Sequence, residues 1–204
     1  MVKVKLCGFT REEDIKKAVE LDADYIGIVL YPKSPRYVSW NRVGRLIECS
    51  GKAKTVAVMV NPSHEDVMKA LDMGFDLIQL HGEESFSFAK DVGIHRILKA
   101  FRTCKGVQIQ EDWKMAHGIL LDACTPAYGG SGQSADWEFA KILVEDGFRV
   151  FLAGGLKPDN VAQAIAKVNP YAVDVSSGIE ISPGIKDHKR MEEFMHAVKN
   201  APKN

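Results

Sequence analysis

The amino-acid sequence predicts an α/β protein, a single (β/α)8 barrel domain over residues 1–204, from three observations. Apolar runs alternate with segments of helical periodicity along the chain. Eight such units in 204 residues take about 25 residues each, the small end of the barrel size range. Glycines recur shortly before apolar runs, at Gly51, Gly74, Gly93, Gly118 and Gly147, as expected where a left-handed glycine ends a helix and a strand follows. A doubly wound open sheet shares the alternation and is the fold alternative, but eight units in so short a chain favour closure. No linker or low-complexity tract suggests a second domain.

Residues 2–6 form the first expected strand, and Thr10 with Glu13 matches a capping box ahead of a helix over 11–21. A second strand over 24–30 stops at Tyr31-Pro32-Lys33-Ser34-Pro35-Arg36, and Val43, Leu46 and Ile47 mark the helix after it. The Val-rich run 54–60 is followed by Ser63, an N-cap, and a helix carrying Val67, Ala70 and Leu71. Strand four, 75–80, ends in His81-Gly82-Glu83-Glu84; a short helix over 85–92 leads to strand five over 94–101. A weak helix over 108–116 precedes strand six, an apolar run from Gly118 that breaks at Asp122. The helix over 136–146, strand seven over 149–153 and a helix opening at Lys157-Pro158-Asp159 follow, with Pro158 near the first helical position. Strand eight covers 171–176, and an amphipathic helix over 187–199 closes the pattern.

Composition narrows the function class. The chain is 46% apolar and 26% charged, and 27 basic residues balance 27 acidic ones. No net field favours nucleic acid or an anionic membrane, so small-molecule chemistry gains weight. Cys7, Cys49, Cys104 and Cys124 lack any paired spacing and are expected as free thiols in a reducing cytosol. No apolar leader or membrane-length run is evident, which suggests a cytoplasmic protein.

In a barrel the C-terminal strand ends share one face, so distant residues become neighbours there. Asp122 ends a strand and enters a loop containing Gly129, Gly130 and Gly132, which could fold closely over a ligand; a helix-capping Asp with a surface loop is the plainer reading. Cys7, just past a strand and before a helix start, could act as a thiolate base or nucleophile, or be a small buried hydrophobe. Gly154-Gly155 after strand seven and Ser176-Ser177-Gly178 after strand eight stand where barrels of this kind bind phosphate. Arg36 in its proline-stiffened loop suits a carboxylate or an aromatic ring, and His81 could bond a ligand. The other histidines are scattered, so no metal is expected. Asp174 either points inward with a partner or outward in a salt bridge. Lys5 and Lys99 lie in strands, as satisfied interior lysines or as a Schiff-base nucleophile.

Five motifs together resemble the phosphoribosylanthranilate isomerase family: Lys-Leu-Cys-Gly-Phe-Thr at 5–10, Tyr-Pro-Lys-Ser-Pro-Arg-Tyr at 31–37, Gln-Leu-His-Gly-Glu-Glu at 79–84, Leu-Leu-Asp at 120–122 with its Gly-Gly-Ser-Gly loop, and Val-Asp-Val-Ser-Ser-Gly-Ile-Glu at 173–180. The resemblance implies a cofactor-free Amadori rearrangement of N-(5-phosphoribosyl)anthranilate in tryptophan biosynthesis. By the same resemblance Asp122 is the general acid that opens the furanose ring and Cys7 the general base at C2′. Arg36 would contact the anthranilate, His81 and Asp174 would line the site, and Gly154, Gly155, Ser176 and Ser177 would hold the phosphate. Phe9, where an aliphatic residue is usual, and Ala135, where Phe is common, are the departures. The alternatives are another phosphosugar barrel enzyme, an aldolase or epimerase using Lys99 or a metal, and a phosphoribosyl-ligand binding protein without turnover. Either a monomer or a homodimer fits, since barrels bury their own edges.

Overall fold

Runs such as Ile119-Leu120-Leu121 have no polar face to offer water, so each strand must be covered on both sides. A closed parallel barrel with an outer layer of helices does this. The computed structural model describes residues 1–104, 106–124 and 136–202; the expectations for Gly129, Gly130, Gly132 and Ala135 fall outside these. In chain order the elements are β1 (Lys3–Cys7), α1 (Glu12–Glu20), β2 (Tyr25–Val29), α2 (Trp40–Glu48), β3 (Lys54–Met59), α3 (His64–Asp72), β4 (Leu77–Leu80), α4 (Phe86–Asp91), β5 (Ile97–Arg102), β6 (Gly118–Asp122), α5 (Trp137–Glu145), β7 (Val150–Leu152), α6 (Val161–Val168), β8 (Ala172–Val175), β9 (Glu180–Ser182), β10 (Ile185–Lys186) and α7 (His188–Lys199).

Strands β1 to β8 pair in sequence order, all parallel, and β8 pairs back onto β1, with Lys3 opposite Ala172 and Lys5 opposite Asp174. The closure excludes the open sheet. Alternation along each strand separates two cores. Tyr25, Val56, Leu77, Leu98, Leu120, Phe151 and Ala172 fill the barrel interior. Their neighbours, including Val4, Leu6, Ile26, Ile28, Ile119 and Leu121, face the helices.

Several expectations are corrected. The N-cap of α1 is Arg11 without a side-chain cap, because Thr10 Oγ1 instead donates to the Gly184 carbonyl at 2.6 Å. Helix α6 begins at Val161, beyond Pro158, and residues 94–96 form a 3-10 turn before β5. A 3-10 segment, Glu111–Met115, stands where a helix was expected between β5 and β6. Gly51, Gly74, Gly93 and Gly147 have positive φ, but Gly118 opens β6, where a Cβ would lie 2.8 Å from the Arg149 carbonyl oxygen. The antiparallel β9–β10 hairpin between β8 and α7 was not expected from the sequence.

Candidate active site

Inward alternation carries functional side chains to the C-terminal mouth. Asp122 stands two residues beyond Leu120 on β6, Asp174 two beyond Ala172 on β8, and Cys7 two beyond Lys5 on β1. Cys7 is the last residue of β1, not one past it. Gly27 of β2 makes room for its sulfur, since a Cβ there would lie 2.6 Å from Cys7 Sγ. Cys7, Arg36, His81, Asp122, Gly155, Asp174, Ser176 and Ser177 all line one cavity of about 760 Å³ including its mouth. Gly154, expected at the phosphate, does not line it. Its positive φ, with that of Gly155, turns the chain after β7. The Gly155 carbonyl accepts from Nδ2 of Asn160, the N-cap of α6, at 3.0 Å.

Charge in the cavity wall is paired. Lys5 is fully buried and its Nζ donates to Asp174 Oδ1 at 2.6 Å, so Asp174 points inward with a partner. Burial opposes the charge on Lys5, but Asp174 and the Cys7 sulfur outweigh it and hold the ammonium above the ordinary lysine range. Burial pushes the Cys7 thiol up, more than Lys5 and Lys186 pull it down. A helix-end lowering is thus not what Cys7 experiences.

Arg36 donates from Nε to Glu180 Oε1 at 2.9 Å and from Nη2 to Oε2 at 2.6 Å, a bidentate grip. Lys186, buried, donates to Glu180 Oε1 at 2.9 Å and to the Cys7 carbonyl. Burial pushes Glu180 up, but Arg36 and Lys186 together hold it below the ordinary carboxylate range. Across the cavity Gln79 Nε2 lies 2.9 Å from His81 Nδ1, while His81 Nε2 stands 3.4 Å from Asp122 Oδ2 without hydrogen-bond alignment. An amide N–H on Nδ1 places the ring proton on Nε2, toward Asp122. Asp122 Oδ1 also accepts from the Ala123 N–H at 2.8 Å.

Glu180, Lys186 and Gln79 were not singled out from sequence. Gln79 had a signal, a polar residue at an inward position of an apolar strand; Lys186 follows the Pro183-Gly184 turn. Lys99 falls on the face of β5 opposite Leu98 and Ala100, where its Nζ meets Glu84 Oε2 at 2.8 Å and the Gly82 carbonyl at 2.6 Å. It does not line the cavity, so it is not placed to form a Schiff base there. The expectation of four free thiols is also corrected: Cys104 and Cys124 form a disulfide, leaving Cys7 and Cys49 as thiols. Among the described residues no three His, Cys, Asp or Glu side chains gather as a metal site, and no helix is long and apolar enough to cross a membrane.

A closed (β/α)8 barrel whose C-terminal mouth is a pocket of paired charges, hydroxyls and glycine turns defines a barrel enzyme of small-molecule metabolism. The family described as N-(5'phosphoribosyl)anthranilate (PRA) isomerase matches residues 4–197. The N-(5'-phosphoribosyl)anthranilate isomerase of Aquifex aeolicus is 47% identical over 203 residues, covering 98% of this chain and 100% of its own. The crystal structure of the Thermus thermophilus enzyme superposes with a TM-score of 0.88 at 32% identity, covering 98% of this chain and 100% of its own. Another isomerase structure, in complex with reduced 1-(o-carboxyphenylamino)-1-deoxyribulose 5-phosphate, gives 0.82 at 36% identity, covering 98% and 99%. The chain belongs to the phosphoribosylanthranilate isomerase family, the aldose–ketose isomerases of tryptophan biosynthesis.

Proposed function

We propose that in this isomerase Asp122 is the general acid and Cys7 the general base, acting on N-(5-phosphoribosyl)anthranilate. Asp122 in its protonated form gives its proton to the furanose ring oxygen. The C1′–O bond breaks as the anthranilate nitrogen donates its lone pair, leaving an open-chain iminium. The Cys7 thiolate then takes the C2′ proton, and the C2′–H electrons neutralise the iminium to an enolamine. Tautomerisation of the enolamine yields the ketone, 1-(2-carboxyphenylamino)-1-deoxyribulose 5-phosphate. Atoms balance without a cofactor.

The observation that carries this assignment is that an acid and a thiol from different strands line one cavity, which Ser176, Ser177, Gly155 and Arg36 also line. Hydroxyls and backbone at one part of the wall suit a phosphate, and a guanidinium suits the aromatic carboxylate. The open-chain ligand of the related complex has both groups.

Steady-state kinetics with freshly formed substrate test it. Cys7→Ala and Asp122→Asn should each cut turnover by at least about 10², the loss expected for a general base or acid, with little change in KM. Near-normal turnover in either variant reassigns that role.

A further inference from the structure

Beneath Cys7 lies a buried charge with no part in the steps above. Lys5 has 0% of its surface exposed. It shares the inward face of β1 with Cys7, two residues deeper. The β1–β8 register sets it opposite Asp174, which takes one of its three N–H groups at 2.6 Å. Burying an ammonium is costly, and an apolar pair of similar volume would fill the space at least as well. Its position directly below a reactive thiol gives the pair a use that packing alone does not.

The other charges around Cys7 are accounted for. Strand β2 turns Gly27 and Val29 to it, with no titratable group. Strand β8 contributes Asp174, whose carboxylate opposes a negative sulfur. The loop after β2 contributes Arg36, gripped by Glu180. Strand β10 contributes Lys186, bonded to the Cys7 carbonyl rather than the sulfur. His81 and Asp122 line the same cavity from β4 and β6. Among these, Lys5 is the cation that shares the inward face of β1 with the sulfur.

We propose that Lys5 is a positioning residue for Cys7: anchored by Asp174 beneath the sulfur, its ammonium offsets part of the cost of a buried thiolate and so favours the form that accepts a proton. The consequence for turnover rests on Cys7 being the base; the effect on the thiol itself does not. Asp174 has a double part, fixing the ammonium while weakening its pull.

Alkylation of Cys7 by iodoacetamide across a pH series, read by peptide mass spectrometry to separate Cys49, reports the thiolate directly. Lys5→Met should raise the midpoint by at least about one pH unit, as expected for losing a nearby opposite charge, and slow alkylation below the midpoint about tenfold. Asp174→Asn should lower it. Opposite signs from two members of one ion pair are not what loss of packing produces. Should Lys5→Met alone fail to fold, the Lys5→Met/Asp174→Asn double variant removes both charges, and its midpoint should lie above that of Asp174→Asn. Unchanged midpoints in Lys5→Met, or in the double variant against Asp174→Asn, would overturn the proposal. If the midpoints move as stated while the pH profile of kcat does not follow, Lys5 keeps its role toward the thiol and Cys7 is not the base.

Discussion

Arg36 is worth more to a ligand held than loose, because a flexible guanidinium loses side-chain freedom on every binding event. Glu180 holds its fork by two edges at 2.9 and 2.6 Å and is itself fixed by Lys186. Glu180→Gln keeps the shape but leaves two neighbouring cations without their anion. We expect KM to rise about tenfold while kcat changes less than about threefold, the pattern of lost binding rather than lost chemistry. Steady-state kinetics check it, and equal falls in kcat and kcat/KM would place Arg36 in the transition state instead. Cys7 has its own signature. The thiolate is the form that accepts a proton, and burial raises the thiol above its ordinary range. The thiolate fraction therefore grows with pH, and alkylation of Cys7 by iodoacetamide should speed up from about pH 7 to about pH 9. An alkylation rate already flat at pH 7 would contradict a thiol raised by burial.

At the scale of elements, strands were legible because parallel strands covered on both faces leave continuous apolar runs, as at β3 and β6. Ser63, Ser85, Asp136 and Asp187 cap their helices through their side chains. Thr10 shows the limit of such signals: a hydroxyl beside a helix start found a better partner 174 residues away, in the hairpin turn. The hairpin escaped notice since strands of three and two residues have no period to detect. Glu180 and Lys186 therefore escaped too, their partners being set by tertiary contact alone. Cys104 and Cys124 pair for a reason only register reveals: Arg102 lies opposite Asp122 across β5 and β6, so the residues two further on also meet. Closing a loop across a sequence separation of 20 should contribute about 3 kcal/mol. Cys104→Ser, or dithiothreitol, is expected to lower Tm by roughly 6–12 °C for a chain of this size. Calorimetry of oxidised and reduced protein tests this; equal Tm values would mean that the crosslink constrains nothing in the unfolded chain.

Across the whole molecule the barrel's two ends serve different ends of the physics. The C-terminal mouth gathers charge, while the N-terminal end is closed by rings: Tyr25 meets Phe151 at 5.3 Å and His117 at 5.9 Å, and Phe151 meets Tyr171 at 5.5 Å. Tyr25 Oη also lies 3.3 Å from His117 Nε2 and 3.2 Å from Tyr171 Oη. Residues at that end of a barrel bear on stability rather than on catalysis. Burial, helped by Arg149 and Lys54, lowers His117 from 6.5 to about 4. Between those values the unfolded chain binds a proton that the folded chain refuses, so stability rises with pH. The contribution is whole above pH 6.5 and is lost as pH falls toward 4. At about 1.4 kcal/mol per pH unit the full shift would exceed 3 kcal/mol; partial exposure of the ring reduces this to about 1–2 kcal/mol. His117→Gln, neutral at every pH, should therefore lose about 1 kcal/mol less than the parent between about pH 7 and pH 4.5, measured as urea-unfolding free energies. Its kcat at neutral pH should match the parent, because no part of the cavity wall is touched. Parallel acid losses in the two proteins would put the proton uptake elsewhere, and a fall in kcat would mean that the ring-closed end is mechanically coupled to the mouth.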